Sequence, residues 1–120
     1  MLAPVRQSLA TNTPLEWTRV NHLPEYVYFN HSVHIVKGIG CSSCHGTVDR
    51  MQLTFAAKNF AMAFCLTCHR APQKYVRPAS EIWNMEWSPP SNQASLGAAL
   101  VKQNHIIGAA RLTDCSTCHR

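Results

Sequence analysis

No apolar run in this chain approaches the roughly eighteen residues that would cross a bilayer. The opening Met1-Leu2-Ala3-Pro4-Val5-Arg6 does not look like a secretory leader either. Charged residues make up only 14 % of the sequence, and its eleven Lys and Arg are scattered rather than gathered into a basic run. That scatter excludes the clustered footprint of a nucleic-acid-binding face, despite a formal net charge of +5. There is no βαβ alternation, no closely spaced multi-cysteine run of the ferredoxin kind, and no nucleophile with an oriented base from which an enzyme site could be read. Above all, there is no cysteine to spare.

All six cysteines fall in three copies of one pattern: Cys41-Ser42-Ser43-Cys44-His45, Cys65-Leu66-Thr67-Cys68-His69 and Cys115-Ser116-Thr117-Cys118-His119. Two thiols so spaced can reach the two vinyl groups on one edge of a porphyrin and form thioethers, and the adjacent histidine then becomes the proximal iron ligand. Cys-x-x-Cys pairs also make zinc ribbons, but two pairs would complete one tetrahedral site and leave a third pair and three identically placed histidines unexplained. Disulfides would suit an even cysteine count in an exported chain, yet they need no histidine after every second cysteine. A thioredoxin-like redox motif would need the missing βαβ pattern. The expected cofactors are therefore three covalently attached haems c, held by Cys41, Cys44, Cys65, Cys68, Cys115 and Cys118, with His45, His69 and His119 as proximal iron ligands.

At 120 residues the chain is one domain with a modest protein core, and three porphyrins would supply much of its interior. The expected fold is mainly irregular with short α-helices and minor β, organised around the three haems. Six haem propionates would bring the positive holoprotein close to neutrality, with Arg50, Arg70, Lys74, Arg77, Lys102, Arg111 and Arg120 as candidate counter-charges, against ordinary solvated surface charge. Haem c is attached outside the bacterial cytoplasm, so the expected location is the periplasmic side of the inner membrane. A removed leader, a longer parent polypeptide or some means of export not visible here would bring the chain there.

Residues 1–16 hold two prolines and several Thr, Asn and Ser without periodicity, which predicts an extended N-terminal arm ahead of a single domain over 17–120. Aromatic and β-branched residues from Trp17 to Phe29 predict short extended pieces broken at Pro24. Asn30 can cap a short helix ending near Gly38. Thr47–Phe55 could form a brief strand, and Lys58–Arg70 reads as a helix whose Phe60, Met62, Phe64 and Leu66 would pack on haem faces. Residues 71–93, with four prolines and the segment Ile82-Trp83-Asn84-Met85-Glu86-Trp87, read as a long connection of the kind that is functional or held by a partner. Trp83 and Trp87 could anchor an interface or cover a haem edge. A helix is expected over 94–103.

Seven histidines less three proximal ones leave His22, His31, His34 and His105 for three distal positions. His31 and His34 share one helical face three residues apart, so they can serve two different irons. The third place lies between His22, near the same cluster, and His105, about ten residues before the last motif; proximity favours His22. Met51 and Met62 are the thioether alternatives, against a reading as gap-filling core. Met62 lies only three residues before Cys65, which makes its own haem hard to reach. Histidine on both sides of every iron would give low-spin haems of lower potential than methionine-ligated ones.

The string Leu23-Pro24-Glu25-Tyr26-Val27-Tyr28-Phe29-Asn30-His31-Ser32-Val33-His34, together with the three haem motifs, resembles the C-terminal three-haem part of the multihaem cytochrome c subunit of alternative complex III. The Phe29-x-His31-x-x-His34 element is also similar to that of class III cytochromes c. This resemblance covers roughly residues 15–70 and the last few. It implies electron transfer within a membrane-bound quinol-oxidising complex of a respiratory or photosynthetic chain, beside iron–sulfur, cytochrome and membrane subunits, towards another cytochrome, a copper protein or an oxidase. It also implies His31 and His34 as distal ligands and His45, His69 and His119 as proximal ones. The family places a histidine one position before His22, where this sequence has Asn21, and it carries two further haems and a membrane anchor ahead of the matched region. A freely diffusing periplasmic triheme shuttle and, further off, a reductase with one open haem are the competing expectations.

Overall fold

The structure is a computed structural model that describes residues 2–119. Arg120, one of the expected counter-charges, lies outside the described residues. The helices are short: α1 Ala3–Thr11, α2 His31–Val36, α3 Cys41–His45, α4 Met62–Arg70, α5 Gln93–Gln103, α6 Ala109–Leu112 and α7 Cys115–Cys118. Single 3-10 turns at Val48–Arg50, Pro72–Lys74 and Ala79–Glu81 punctuate the connections. Among the described residues no helix is long and apolar enough to cross a membrane.

The cap at Asn30 forms as its sequence position dictates. Its Oδ1 accepts from the Ser32 backbone N–H at 2.9 Å and from Ser32 Oγ at 2.6 Å, which fixes the first turn of α2. Gly38 ends that helix at φ +86°, a left-handed conformation that a side chain would resist. A Cβ there would also meet the Arg77 carbonyl at 2.9 Å. The strap from Gly38 to Cys41 is stitched to a distant segment, with Arg77 N donating to Gly38 O at 2.9 Å and Cys41 N donating to Ile82 O at 3.1 Å.

That segment is where the structure departs most from the sequence reading. Residues 71–93 are a connection without long helices, yet they supply most of the buried protein core. Val76 is fully buried, Arg77 and Ile82 nearly so, and Leu100 of α5 closes the same cluster. The Pro72–Lys74 turn presses on α5 at Gly97, where any Cβ would collide with the Gln73 carbonyl. Gln93 Nε2 donates to Gln73 O and Val76 O, both at 2.9 Å, satisfying carbonyls that no repetitive structure pairs. The prolines do not loosen the segment, because their fixed φ preorganises its turns.

Four smaller expectations are also corrected. The stretch expected to be extended over 1–16 contains the nine-residue helix α1. Pro4 sits in its first turn, where a missing N–H costs nothing, and Asn12 ends it at φ +50°. The strand expected over Thr47–Phe55 is a 3-10 turn, Val48–Arg50, followed by irregular chain. The minor β content reduces, among the described residues, to one isolated antiparallel bridge between Val27 and His119. Helix α4 begins at Met62 rather than Lys58, after Ala61 in extended backbone.

Candidate haem-binding site

Each cysteine pair lies on its own short helix, α3, α4 or α7, with the two thiols one turn apart at i and i+3. No two of the six cysteines are joined by a disulfide in this structure. Among the described residues no cluster of three or more His, Cys, Asp or Glu is disposed to hold a bare metal ion. The motifs converge. Burial raises the pKa of Cys44, and Cys65 and Cys41 add to that rise. Cys65 is raised by burial and then by Cys118. Cys68 is pushed up to about 11 by burial, Cys44 and Cys65. Each of these groups therefore rests as a neutral thiol at neutral pH.

The imidazoles are paired. His31 of α2 stands parallel to His45 of the first motif, with ring centroids 6.0 Å apart and an interplanar angle of 6°. His34, one turn along, faces His69 of the second motif at 6.2 Å and 21°. A ligating nitrogen lies about 2 Å from its metal and about 1.1 Å from its own ring centre, so two imidazoles on opposite sides of one metal have centroids about 6.2 Å apart. Both pairs match that span, so the donor set fits an iron between each pair of rings. Phe29 wedges between the two rings of α2, edge-on to His31 at 4.8 Å and tilted against His34 at 4.5 Å. Phe60 closes on His45 edge-on at 6.3 Å and continues to Phe64 at 5.6 Å.

Hydrogen bonds select the tautomer. His69 Nδ1 faces Leu112 O at 2.9 Å, His34 Nδ1 faces Asn30 O at 2.9 Å, and His119 Nδ1 faces Tyr26 O at 3.2 Å. A carbonyl can only accept, so each Nδ1 carries the proton and Nε2 keeps the lone pair that a metal needs. Burial holds the His34 pKa below its usual value, its bond to Asn30 opposing this and the neighbouring His69 and His31 reinforcing it. The neutral, ligating ring is thereby favoured. The Asn21 amide lies 3.4 Å from His45 Nδ1.

His22 and His105 are placed differently. His22 spends Nε2 on the Arg19 carbonyl at 2.7 Å. His105 is exposed, beyond the end of α5 at φ +49°. Among the described residues the ring against His119 is that of Tyr26, with centroids 5.8 Å apart. Met62 stands exposed at the start of α4, and Met51 is half-buried. Of the expected counter-charges, Arg50 is paired with Glu86 and Arg77 is turned inward. A cleft of about 380 Å³ runs beside the first two motifs, lined by Ser42, Ser43, Lys58, Phe64, Thr67, Cys68 and Tyr75.

Sequence reasoning missed the orienting carbonyls of Asn30, Leu112 and Tyr26, since any residue type offers a carbonyl. It also missed Phe29 as a wedge, although its place two residues before His31 was a usable signal.

Attachment helices bearing paired thiols, each followed by a histidine, with two of those histidines faced by parallel imidazoles, define a multihaem c-type cytochrome. Residues 27–120 match the family model of cytochrome c7 and related cytochromes c, and the chain belongs to that family. The match begins at the bridge residue Val27 and takes in all three Cys-x-x-Cys-His motifs. A search of curated proteins finds no match.

Proposed function

We propose that this chain carries electrons through three c-type haems, two of them held between His31 and His45 and between His34 and His69. The observation that carries this reading is the parallel stacking of those rings at 6.0 and 6.2 Å. Haem iron held between two imidazoles exchanges one electron at a time without bond chemistry at the protein. The residues supply the rest. Nδ1 bonds to backbone carbonyls fix the ring planes of His34, His69 and His119, Phe29 keeps His31 and His34 from collapsing together, and burial favours the neutral form of His34. For His119 the partner is His22 or His105, and the engagement of His22 Nε2 by Arg19 favours His105, against the proximity that favours His22 in the sequence. Neither Met51 nor Met62 takes a distal position in this reading.

The setting we propose is the periplasmic face of the inner membrane, as a subunit of a quinol-oxidising complex of the alternative complex III kind. There it would lie beside iron–sulfur, cytochrome and membrane subunits and pass electrons to a cytochrome, copper protein or oxidase. The Leu23–His34 string supports it. A freely diffusing triheme shuttle is the second reading, and a specific observation favours it: Val76, Arg77 and Ile82 of the 71–93 segment are buried against their own chain. Solubilising native membranes gently and sizing the haem-bearing fraction separates the two. Co-elution with membrane subunits supports the complex; a monomer in the soluble fraction refutes it. An intact mass equal to the bare chain would overturn both.

A further inference from the structure

Arg77 is the one buried charged side chain among the described residues, 2 % exposed. It reaches from the core segment to the first attachment helix, where Nη2 donates to Ser42 Oγ at 3.2 Å and Ser43 Oγ at 2.9 Å. Those hydroxyls belong to the two residues between Cys41 and Cys44. Nη1 donates to the carbonyls of Glu81 at 3.3 Å and Asn84 at 3.1 Å. The guanidinium lies 4.4 Å from the centre of the Trp87 ring. Nε is buried without a partner. Gly40 makes the approach possible, because a Cβ at that position would collide with the guanidinium.

Every acceptor Arg77 uses is neutral. Buried charges are ordinarily paired with an opposite charge, and a guanidinium does not escape by losing its proton. Burial lowers the Arg77 pKa more than the nearby Glu81 carboxylate raises it, so that carboxylate does not offset the desolvation. Glu81 is itself occupied, accepting from Asn84 Nδ2 at 2.7 Å. A positive charge thus stands against the first attachment helix, in surroundings where salt screens it little.

We propose that Arg77 is a positioning residue for the electron, raising the reduction potential of the haem carried by Cys41 and Cys44 above what its axial ligands alone would give. This rests on the reading that the first motif carries a haem. Taking up one electron adds one negative charge to that site, and Coulomb attraction to a fixed positive charge favours the reduced state, falling off with distance. Arg77 touches the first motif and neither of the others, so the effect is selective. It favours placing an electron on the first haem over what that haem would hold without Arg77.

The test is a redox titration of the holoprotein, resolving each haem by the NMR signals of its methyl groups, assigned to their motifs. Wild type, Arg77→Gln, Arg77→Lys and Glu81→Gln are compared after intact mass and absorption spectra establish haem count and low-spin ligation. In Arg77→Gln the first haem's midpoint is expected to fall while the other two move less. Arg77→Lys should return it towards wild type, a rescue that a purely structural role would not give. Glu81→Gln, which removes a negative charge beside Arg77, should raise it, and this arm decides the matter if Arg77→Gln does not fold. Unmoved midpoints, or equal shifts at all haems, would overturn the proposal. A wild-type protein without haem on Cys41 and Cys44 would sink the functional reading instead.

Discussion

Phe29, His31 and His34 act as one device. The phenyl ring keeps two imidazoles apart so that each faces a different motif, and the helix repeat aims both to one side. Replacing His31 by Ala should leave the iron beside His45 without its second imidazole and convert about one haem in three to high spin, read by electron paramagnetic resonance. His34→Ala should do the same at His69, with the remaining haems unchanged. A low-spin spectrum surviving intact in either variant would refute the pairing. Since His22 offers its Nε2 to a carbonyl, His105→Ala is expected to produce the third high-spin signal and His22→Ala none.

At the scale of elements, caps and small residues decide where helices begin and what they touch. Asp114 caps α7, its Oδ1 accepting from Ser116 N at 2.9 Å and Ser116 Oγ at 2.5 Å, and these bonds hold its pKa below the usual 3.8. A carboxyl whose folded pKa is depressed stabilises above its unfolded value and loses that contribution as pH falls through the folded one. Protection of the Ser116 amide against hydrogen exchange should therefore be flat from neutrality down to about pH 4 and fall below it. Asp114→Asn, which keeps an acceptor oxygen, should abolish the pH dependence. Gly97 gives a steric test: Gly97→Ala must push α5 off the Gln73 carbonyl and should cost about 1–3 kcal/mol, read as a lowered melting temperature.

These elements also show what the sequence could convey. Asn30 and Gly38 mark the two ends of α2 because capping chemistry is local, and the thiol–histidine pattern names its cofactor because porphyrin geometry is fixed. That His31 and His34 could serve two different irons was legible from their spacing on one helical face, but which motif each faces was not. The core at Val76, Arg77 and Ile82 was illegible. A proline-rich stretch with no period gives no pattern from which burial can be inferred, and its partners Gly38, Gly40 and Cys41 lie more than thirty residues away. Helix α1 was hidden by the Thr, Asn and Ser that end it.

As a whole, the molecule is larger than its length implies. Its radius of gyration is 17.3 Å, against about 13.6 Å for an ordinary domain of this size. Among the described residues the buried apolar side chains are Val76, Ile82 and Leu100, while Tyr26, Tyr28, Phe29, Val33, Val36 and Phe55 stand exposed along segments that lead to or from the motifs. A core that small cannot offset the entropy of ordering the rest of the chain. On the proposed reading, α3, α4 and α7 would be held largely by the haems bonded to their cysteines and α2 by its two histidines, while residues 71–93 with α5 carry most of the buried protein contacts. The double variant Cys65→Ala/Cys68→Ala, expressed with the other two motifs intact, separates these parts. It should lose protease resistance around α4 and α6 first, because their mutual contact depends on the second motif, and retain it longest across 71–103. Limited proteolysis with mass mapping reads the order of cleavage. Uniform resistance along the chain would mean that the protein core suffices, and early cleavage within 71–93 would mean that the core, too, hangs on the haems.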